Sequence, residues 1–448
     1  MPKRKVMPNA NDLIVIKHQR KLINNARVIF TREPYFMVGF VRPVVGRVSG
    51  VFGSQRILKK MHRIYTIEQY LEKDFGKRCL KNCDITDMTF ACIGGVDALQ
   101  NSVDWVSSNR DKKAIVVCSD LSKYSLNSTG EYTQGAGAVA LLISENPSIL
   151  SIENQWGVAT KSENDFFKPR RQYKKANILI EAAKILNKEV SQEEAETLLE
   201  NTQSKFWSDT NDIIEVYKEE PIFEGQFSNE SYKARVYEAI EDFNNQNERN
   251  ILKEWENIVF HLPYAYHGRR MITHKWIEWM EKNGDSENIY SEVGNPKSEI
   301  DKEWIKKVSK SSVYKNFVEQ KIAPGEKASS EIGNMYTASI FMSLISSLVE
   351  ALSNGNEFAN KKIGFISYGS GSKAKIFEGT VQNNWKDRIG RINLFQNLDS
   401  RKKISINIYE QLHKRRVSSN INNNQGIIKL KNIDKGEFTE GLRNYFKY

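Results

Sequence analysis

From residue 84 onward, apolar runs alternate with small and polar ones, and each run has the length of a strand or a helix. CDITDMTFA (83–91) predicts a strand entering a turn. Val96, Leu99, Val103 and Trp105 recur at helical spacing and predict an amphipathic helix from Cys92 to Ser108. KAIVVCSDL (113–121) predicts a buried strand, and GAGAVALLISE (135–145) a second one entered through small residues. PSILSIENQWGVAT (147–160) continues as β. IVFHLPYA (258–265) predicts a strand running into a turn, and GNMYTASIFMSLISSLVEAL (333–352) a loop followed by a long buried helix. KKIGFISYGSGSKAKIFEGTV (361–381) predicts a strand, a glycine turn and another strand. Between the two arrays, residues 170–250 are polar with helical texture and are expected to form an insertion or cap. Residues 1–78 carry Arg, Lys and Val without a helix or strand period.

The pattern is that of two similar α/β halves, although no repeat shows at residue level. A chain of 448 residues, 40% of them apolar, has room for a large core. The basic start, MPKRKVMPNAND, is followed by only four apolar residues, LIVI, so no secretory signal is expected. The longest apolar stretch, 336–352, is broken by Thr, Ser and Glu and is expected to be a core helix, not a membrane span.

Charge changes the picture little. The net charge is +11, but residues 1–76 hold 15 Lys and Arg against 5 Asp and Glu, so nearly all the excess lies there. The rest is close to neutral and has no nucleic-acid-binding motif, so no nucleic-acid partner is expected. Four cysteines, Cys79, Cys83, Cys92 and Cys118, are too few for a disulfide scaffold, and a cytoplasmic protein is expected. Cys79 and Cys83 lack a second pair at ligand spacing, so no metal site is expected.

Candidate chemistry gathers around Cys92. A helix start lowers a thiol pKa because unpaired N–H groups favour the thiolate. Gly94 and Gly95 would let a thioester approach the backbone. Free cysteine is equally at home as buried packing. His261 ends a strand, Pro263 turns the chain, and Arg269 and Arg270 follow. Histidine there suits a carbonyl or a proton, and the arginines suit a phosphate; a satisfied core histidine is the alternative. The turn in SYGSGS (367–372) would offer N–H groups to an oxyanion.

Taken together, FACIGGVDALQNSVDW, SDLSKYSLNSTGEYTQGAGAVALLI, NDFFKPR, EGQFSNESY, FHLPYA, GNMYTASIFMSL and IGFISYGSGSKAKIFEGTV resemble the 3-hydroxy-3-methylglutaryl-CoA synthase family. The resemblance runs from about Asp84 to Val381, with a weaker echo through LDSRKKISINIYEQL (398–412) to the C-terminus. It implies a thiolase-like fold with an αβαβα core. The N-terminal half would span 79–169, the insertion 170–250 and the C-terminal half 251–448, after a diverged basic segment at 1–78. It further implies Claisen-type condensation of acetyl-CoA with acetoacetyl-CoA, a place in the mevalonate pathway, a homodimer, and no metal or redox cofactor.

By the same resemblance, Cys92 carries the acetyl group and His261 polarises the acetoacetyl-CoA thioester. Asn334 and Ser370 hold the acyl chain and oxyanion. Asp120, Tyr124 and Asp165 shape the pocket around the cysteine. Thr133, Ser228 and Arg270 contact the CoA-linked substrate, with Arg269 beside them. Three positions depart from the family. Ile93 replaces a frequent Tyr, and Tyr266 replaces a lysine. The family's acid/base glutamate, in a T-E-S-like turn, has Val48 as its nearest counterpart in GRVSGVFGS (46–54). Valine cannot move a proton, so acetyl loading without efficient condensation is the expectation. A β-branching synthase acting on carrier-protein-bound acyl groups and a non-enzymatic thioester-binding product are the alternatives.

Overall fold

A computed structural model describes residues 26–31, 84–88, 90–108, 112–204, 207, 212–217, 220–246, 248–296, 301–416, 428–436 and 443–447. Cys79, Cys83 and Val48 lie outside them. The chain divides into two compact units, Phe166–Ile222 and the chain before and after it. The smaller unit pairs strands Arg170–Lys174 and Ile213–Tyr217 antiparallel and carries helices Lys175–Ile185 and Gln192–Glu200.

The main unit is built on two four-stranded sheets. The first uses β1 (Ala26–Thr31) and β2 (Asp84–Met88), then, after α1 (Gly94–Ser108), β3 (Lys113–Ser122) and β4 (Gly135–Ile143). Its order is β2-β1-β3-β4, with β1 parallel to both neighbours and β4 antiparallel to β3. Val28 sits opposite both Ile85 and Ile115. The expectation that residues 1–78 supply no opening strand is therefore corrected: ARVIFT lies inside the sheet. Its apolar residues are too few to show a period, and both partners are far downstream.

The second sheet begins with β5 (Leu150–Thr160). After α2 (Gly225–Gln246) comes β6 (Trp255–Phe260). Helices α3 (Ala323–Ile332) and α4 (Ser339–Ser353) precede β7 (Lys362–Gly369) and β8 (Lys373–Val381). The order is β6-β7-β8-β5; β6 and β7 are parallel, and the other pairs are antiparallel. Because strand side chains alternate, this sheet feeds two cores. Val259, Phe365 and Phe377 join one cluster with α1 and α4, while Ile258, Phe260, Ile366 and Ile376 join another with α2.

Helix α2 falls inside the stretch expected as insertion, yet it belongs to the main unit. Only a narrow stripe of it, Tyr232, Val236, Ala239, Ile240 and Phe243, is apolar and buried. It packs so closely on β5 that a Cβ on Gly157 would lie 2.6 Å from the Phe243 nitrogen. Tyr336–Ser353 has the length and hydropathy of a membrane span, but it is packed inside the fold as its core helix. Its serines explain how. The Ser343 and Ser346 hydroxyls donate to the Gly325 and Pro324 carbonyls at 2.8 and 2.6 Å, drawing α3 and α4 together. Four of the five layers of an αβαβα core thus lie within the described residues.

Candidate active site

The strand–turn–helix around Cys92 is tightly wound. Ala91 has φ of 37°, the left-handed region that L-residues seldom adopt. Gly94 N–H then donates to the Phe90 carbonyl at 3.0 Å, and Val96 and Asp97 N–H donate to that of Ile93 at 2.9 and 3.1 Å. Cys92 is thereby held, buried, just before the first turn of α1. There the helix dipole favours a thiolate. The glycines serve packing. A Cβ on Gly95 would lie 2.8 Å from the Thr337 carbonyl, and one on Gly369 2.7 Å from the Ile93 nitrogen. The end of β7 is pressed against the residue after the cysteine.

Three buried tyrosines, Tyr124, Tyr232 and Tyr368, feel the charge of Cys92. Tyr124 is pushed up to about 12, first by burial, against the opposing pull of a hydrogen bond with Asn334. Burial first also raises Tyr232 and Tyr368, followed by Tyr264 and then Cys92 for the former and by Asp165 and then Cys92 for the latter. All three stay protonated around neutrality and remain donors. Tyr368 donates to Asp165 Oδ2 at 2.6 Å, and Gly371 N–H donates to Oδ1 at 2.9 Å. Ser228 Oγ donates to the Asp165 carbonyl. Asp165 therefore ties β7's end and the start of α2 to one point. Ser370 sits half-buried in the same turn.

His261 enters from β6. Its N–H donates to the Ile366 carbonyl at 3.0 Å, and its own carbonyl accepts from Tyr232 Oη at 3.1 Å. Burial pushes its imidazole down to about 3, so the ring is neutral at neutral pH. Nδ1 has no hydrogen-bond partner among the described residues. A second buried imidazole, His267, is also pushed down to about 3, by burial first and then by His261 and Arg270. Tyr232 stands edge-on to it, with ring centroids 4.3 Å apart.

On the opposite side, Asn334 N–H donates to the Thr133 carbonyl at 2.9 Å, and Ser122 Oγ donates to the Asn334 carbonyl at 3.0 Å. Gly333, with φ of 90°, lies against Gln134 too closely for a side chain. Asp120 Oδ2 accepts from Thr337 N–H and Oγ1 at 3.1 and 2.6 Å, fixing the turn beneath α1.

The two arginines part company. Arg269 is bound through Nε and Nη2 to the buried Glu326, with Nε 2.8 Å from Oε2. Its guanidinium also lies over the Tyr266 ring. Arg270 is exposed, and no carboxylate pairs with it among the described residues. The sequence reading grouped them because they are adjacent; the partner that separates them is 57 residues away. It also missed Tyr232, Tyr368, Thr337 and His267, although NESYK and SYGSGS contain the two tyrosines.

The hydroxymethylglutaryl-coenzyme A synthase C-terminal family model matches residues 210–438, and the N-terminal model matches 41–148. The chain belongs to the hydroxymethylglutaryl-CoA synthase family. It is 26% identical to the hydroxymethylglutaryl-CoA synthase of Haloferax volcanii over 387 residues, 84% of this chain and 73% of that protein. It is 25% identical to that of Enterococcus faecalis over 391 residues, 87% and 77% of the two chains. Among solved structures, MvaS in complex with 3-hydroxy-3-methylglutaryl coenzyme A aligns with a TM-score of 0.65 at 21% identity, covering 96% and 83%. The curacin-pathway HMG synthase in complex with acetyl donor-ACP aligns with a TM-score of 0.64 at 17% identity, with the same coverages. The fold is thus that of the thiolase-like hydroxymethylglutaryl-CoA synthases. The family match begins at residue 41, well upstream of the Asp84 start expected from motifs.

Proposed function

We propose that the chain condenses acetyl-CoA with acetoacetyl-CoA through an acetyl-cysteine. The observation that carries the reading is a helix start at Cys92 beside three protonated tyrosines, one of which, Tyr232, donates to the carbonyl of the neutral His261. The Cys92 thiolate attacks the acetyl-CoA carbonyl, and CoA leaves as a thiolate that takes up a proton. A base removes a proton from the acetyl methyl, and the resulting carbanion adds to the ketone of acetoacetyl-CoA, whose oxygen is protonated. Water then cleaves the cysteinyl thioester and restores Cys92.

His261 holds the acetoacetyl thioester carbonyl. Asn334 and Ser370 hold the acyl group and oxyanion, with Tyr124, Asp120 and Asp165 as walls and braces. Thr133, Ser228 and Arg270 meet the CoA portion, whereas Arg269 serves the fold through Glu326. The protein works as a cytoplasmic homodimer without metal or redox cofactor. Its two thiolase-like halves are built on the two four-stranded sheets, the first on β1 to β4 and the second on β5 to β8 with α2.

With Val48 in place of the family glutamate, the chain loads acetyl readily and condenses slowly, since one positioned acid/base is worth about 10²–10⁴-fold. Single-turnover condensation from pre-acetylated protein tests this. Slow product formation, with a large gain in Val48→Glu, supports the reading; family-like speed in the unmodified chain refutes the placement of the acid/base. A carrier-protein substrate is favoured by one observation. Tyr266, exposed and stacked under Arg269, stands where the family has a lysine. Acetyl transfer from an acetyl carrier protein in preference to acetyl-CoA would establish that reading.

A further inference from the structure

The C-terminal segment contributes no catalytic group, yet it is tied to two ligand-wall segments at once. Arg401 Nη1 donates to the Glu331 carbonyl at 2.6 Å, and Nη2 pairs with Glu331 Oε2 at 3.0 Å, three residues before Asn334. The helix Ile406–His413 follows, capped by Ser405, and none of its side chains is buried. Two of its residues reach the loop from Tyr124 to Gln134. Gln134 Nε2 donates to Tyr409 Oη at 2.6 Å, and that hydroxyl donates to Glu131 Oε1 at 2.9 Å. The remaining atoms of the two loop side chains turn back on the loop. Gln134 Oε1 accepts from Tyr124 N–H at 2.9 Å, and Glu131 Oε2 accepts from Asn127 N–H at 2.5 Å. His413 Nε2 lies 2.7 Å from the Tyr124 carbonyl. A carbonyl only accepts, so Nε2 carries the proton.

We propose that the segment Arg401–His413 is a clasp that sets the Tyr124–Gln134 loop against Asn334 for the acyl-CoA ligand, with Tyr409 and His413 as positioning residues. The inference rests on the proposed roles of Tyr124, Thr133 and Asn334. A helix that buries no side chain adds little to the core, so its polar contacts act on the loop. The donation chain from Gln134 through Tyr409 to Glu131 fixes the loop's last residues. Next to them, the Thr133 carbonyl receives Asn334 N–H. His413 fixes the loop's first residue. Loss of either end frees the wall while leaving the sheets, α1 and Cys92 in place.

The test compares the full chain with Tyr409→Phe, His413→Leu and His413→Gln; glutamine keeps an N–H donor. One readout is hydrogen exchange over residues 124–134. The other is the acetyl-CoA concentration that half-protects Cys92 from iodoacetamide. Faster loop exchange and a half-protecting concentration raised about three- to tenfold are expected for Tyr409→Phe and His413→Leu, the size of one lost hydrogen bond. His413→Gln should return to the parent value. A lower melting temperature with unchanged protection would make the helix merely structural and overturn the proposal, as would unchanged loop exchange. Absence of protection in the unmodified chain would defeat the reading of the site itself, and the clasp with it, before any variant is measured.

Discussion

The two sheets of the main unit differ in how they are held. Both combine parallel and antiparallel strands, and each sends one reactive group to the site: Cys92 from the first, His261 from the second. Three strands of the second sheet, β6, β7 and β8, are buried on both faces, with Trp255, Phe260, Phe365 and Phe377 among their fully enclosed side chains. In the first, β3 alternates, with Val116 and Cys118 buried and Ile115 and Val117 half-buried. The second sheet is therefore the rigid reference that presents His261 and Tyr368. The first carries the strained turn at Ala91, and the turn leading into α4 and the end of β7 press on Gly95 and Ile93, just after its cysteine.

That contrast can be broken by mutation. Trp255→Ala removes a fully buried ring and the hydrogen bond from its Nε1 to Glu378 at 2.7 Å, so chemical denaturation should show a loss of about 3–5 kcal/mol. Ile115→Ala, half-buried in the first sheet, should cost about 1 kcal/mol. Equal losses would erase the distinction between the sheets.

The adjacent arginines sharpen it. Arg269→Ala leaves Glu326 buried without its partner and should destabilise the fold by about 2–3 kcal/mol. Arg270→Ala should leave the melting temperature unchanged and raise KM for CoA thioesters by about tenfold, the size of a charge-assisted contact. His261→Ala should weaken acetoacetyl-CoA binding more than it slows acetyl transfer to Cys92, which separates the contributions of the two halves.

Acid stability offers a separate handle. His261 and His267 are held near 3 in the folded chain against an ordinary 6.5. Between those values the unfolded chain binds more protons, so folding is favoured above about pH 6.5 and loses stability as pH falls toward 3. His267→Met should flatten that decline in urea titrations between pH 7 and 4. A slope identical to the parent's would show that His267 is not held neutral.

Much of this was legible in the sequence wherever apolar residues are consecutive or evenly spaced. KAIVVCSDL, GAGAVALLI, the core helix after GNMY and the hairpin around SYGSGS all lie where the pattern puts them, because burial on a sheet face or a helix stripe dictates side-chain type. Three features were hidden for physical reasons. ARVIFT is a strand only by virtue of partners on either side that come much later in the chain. Helix α2 buries a stripe too narrow to stand out from its polar face. Pairings such as Arg269 with Glu326 and Gln134 with Tyr409 join residues that no local period relates. At the site, Cys92 and His261 stood out from their settings, whereas Tyr232 and Tyr368 became visible only once the fold brought them to the cysteine.

The central claim is that Cys92 is the group that takes the acyl unit. Incubating the full chain with isotopically labelled acetyl-CoA, digesting it and mapping the label by mass spectrometry tests this directly. The account predicts label on the peptide containing Cys92 and none in Cys92→Ala. Label on Cys118 or Cys79, or label that persists in Cys92→Ala, would contradict it.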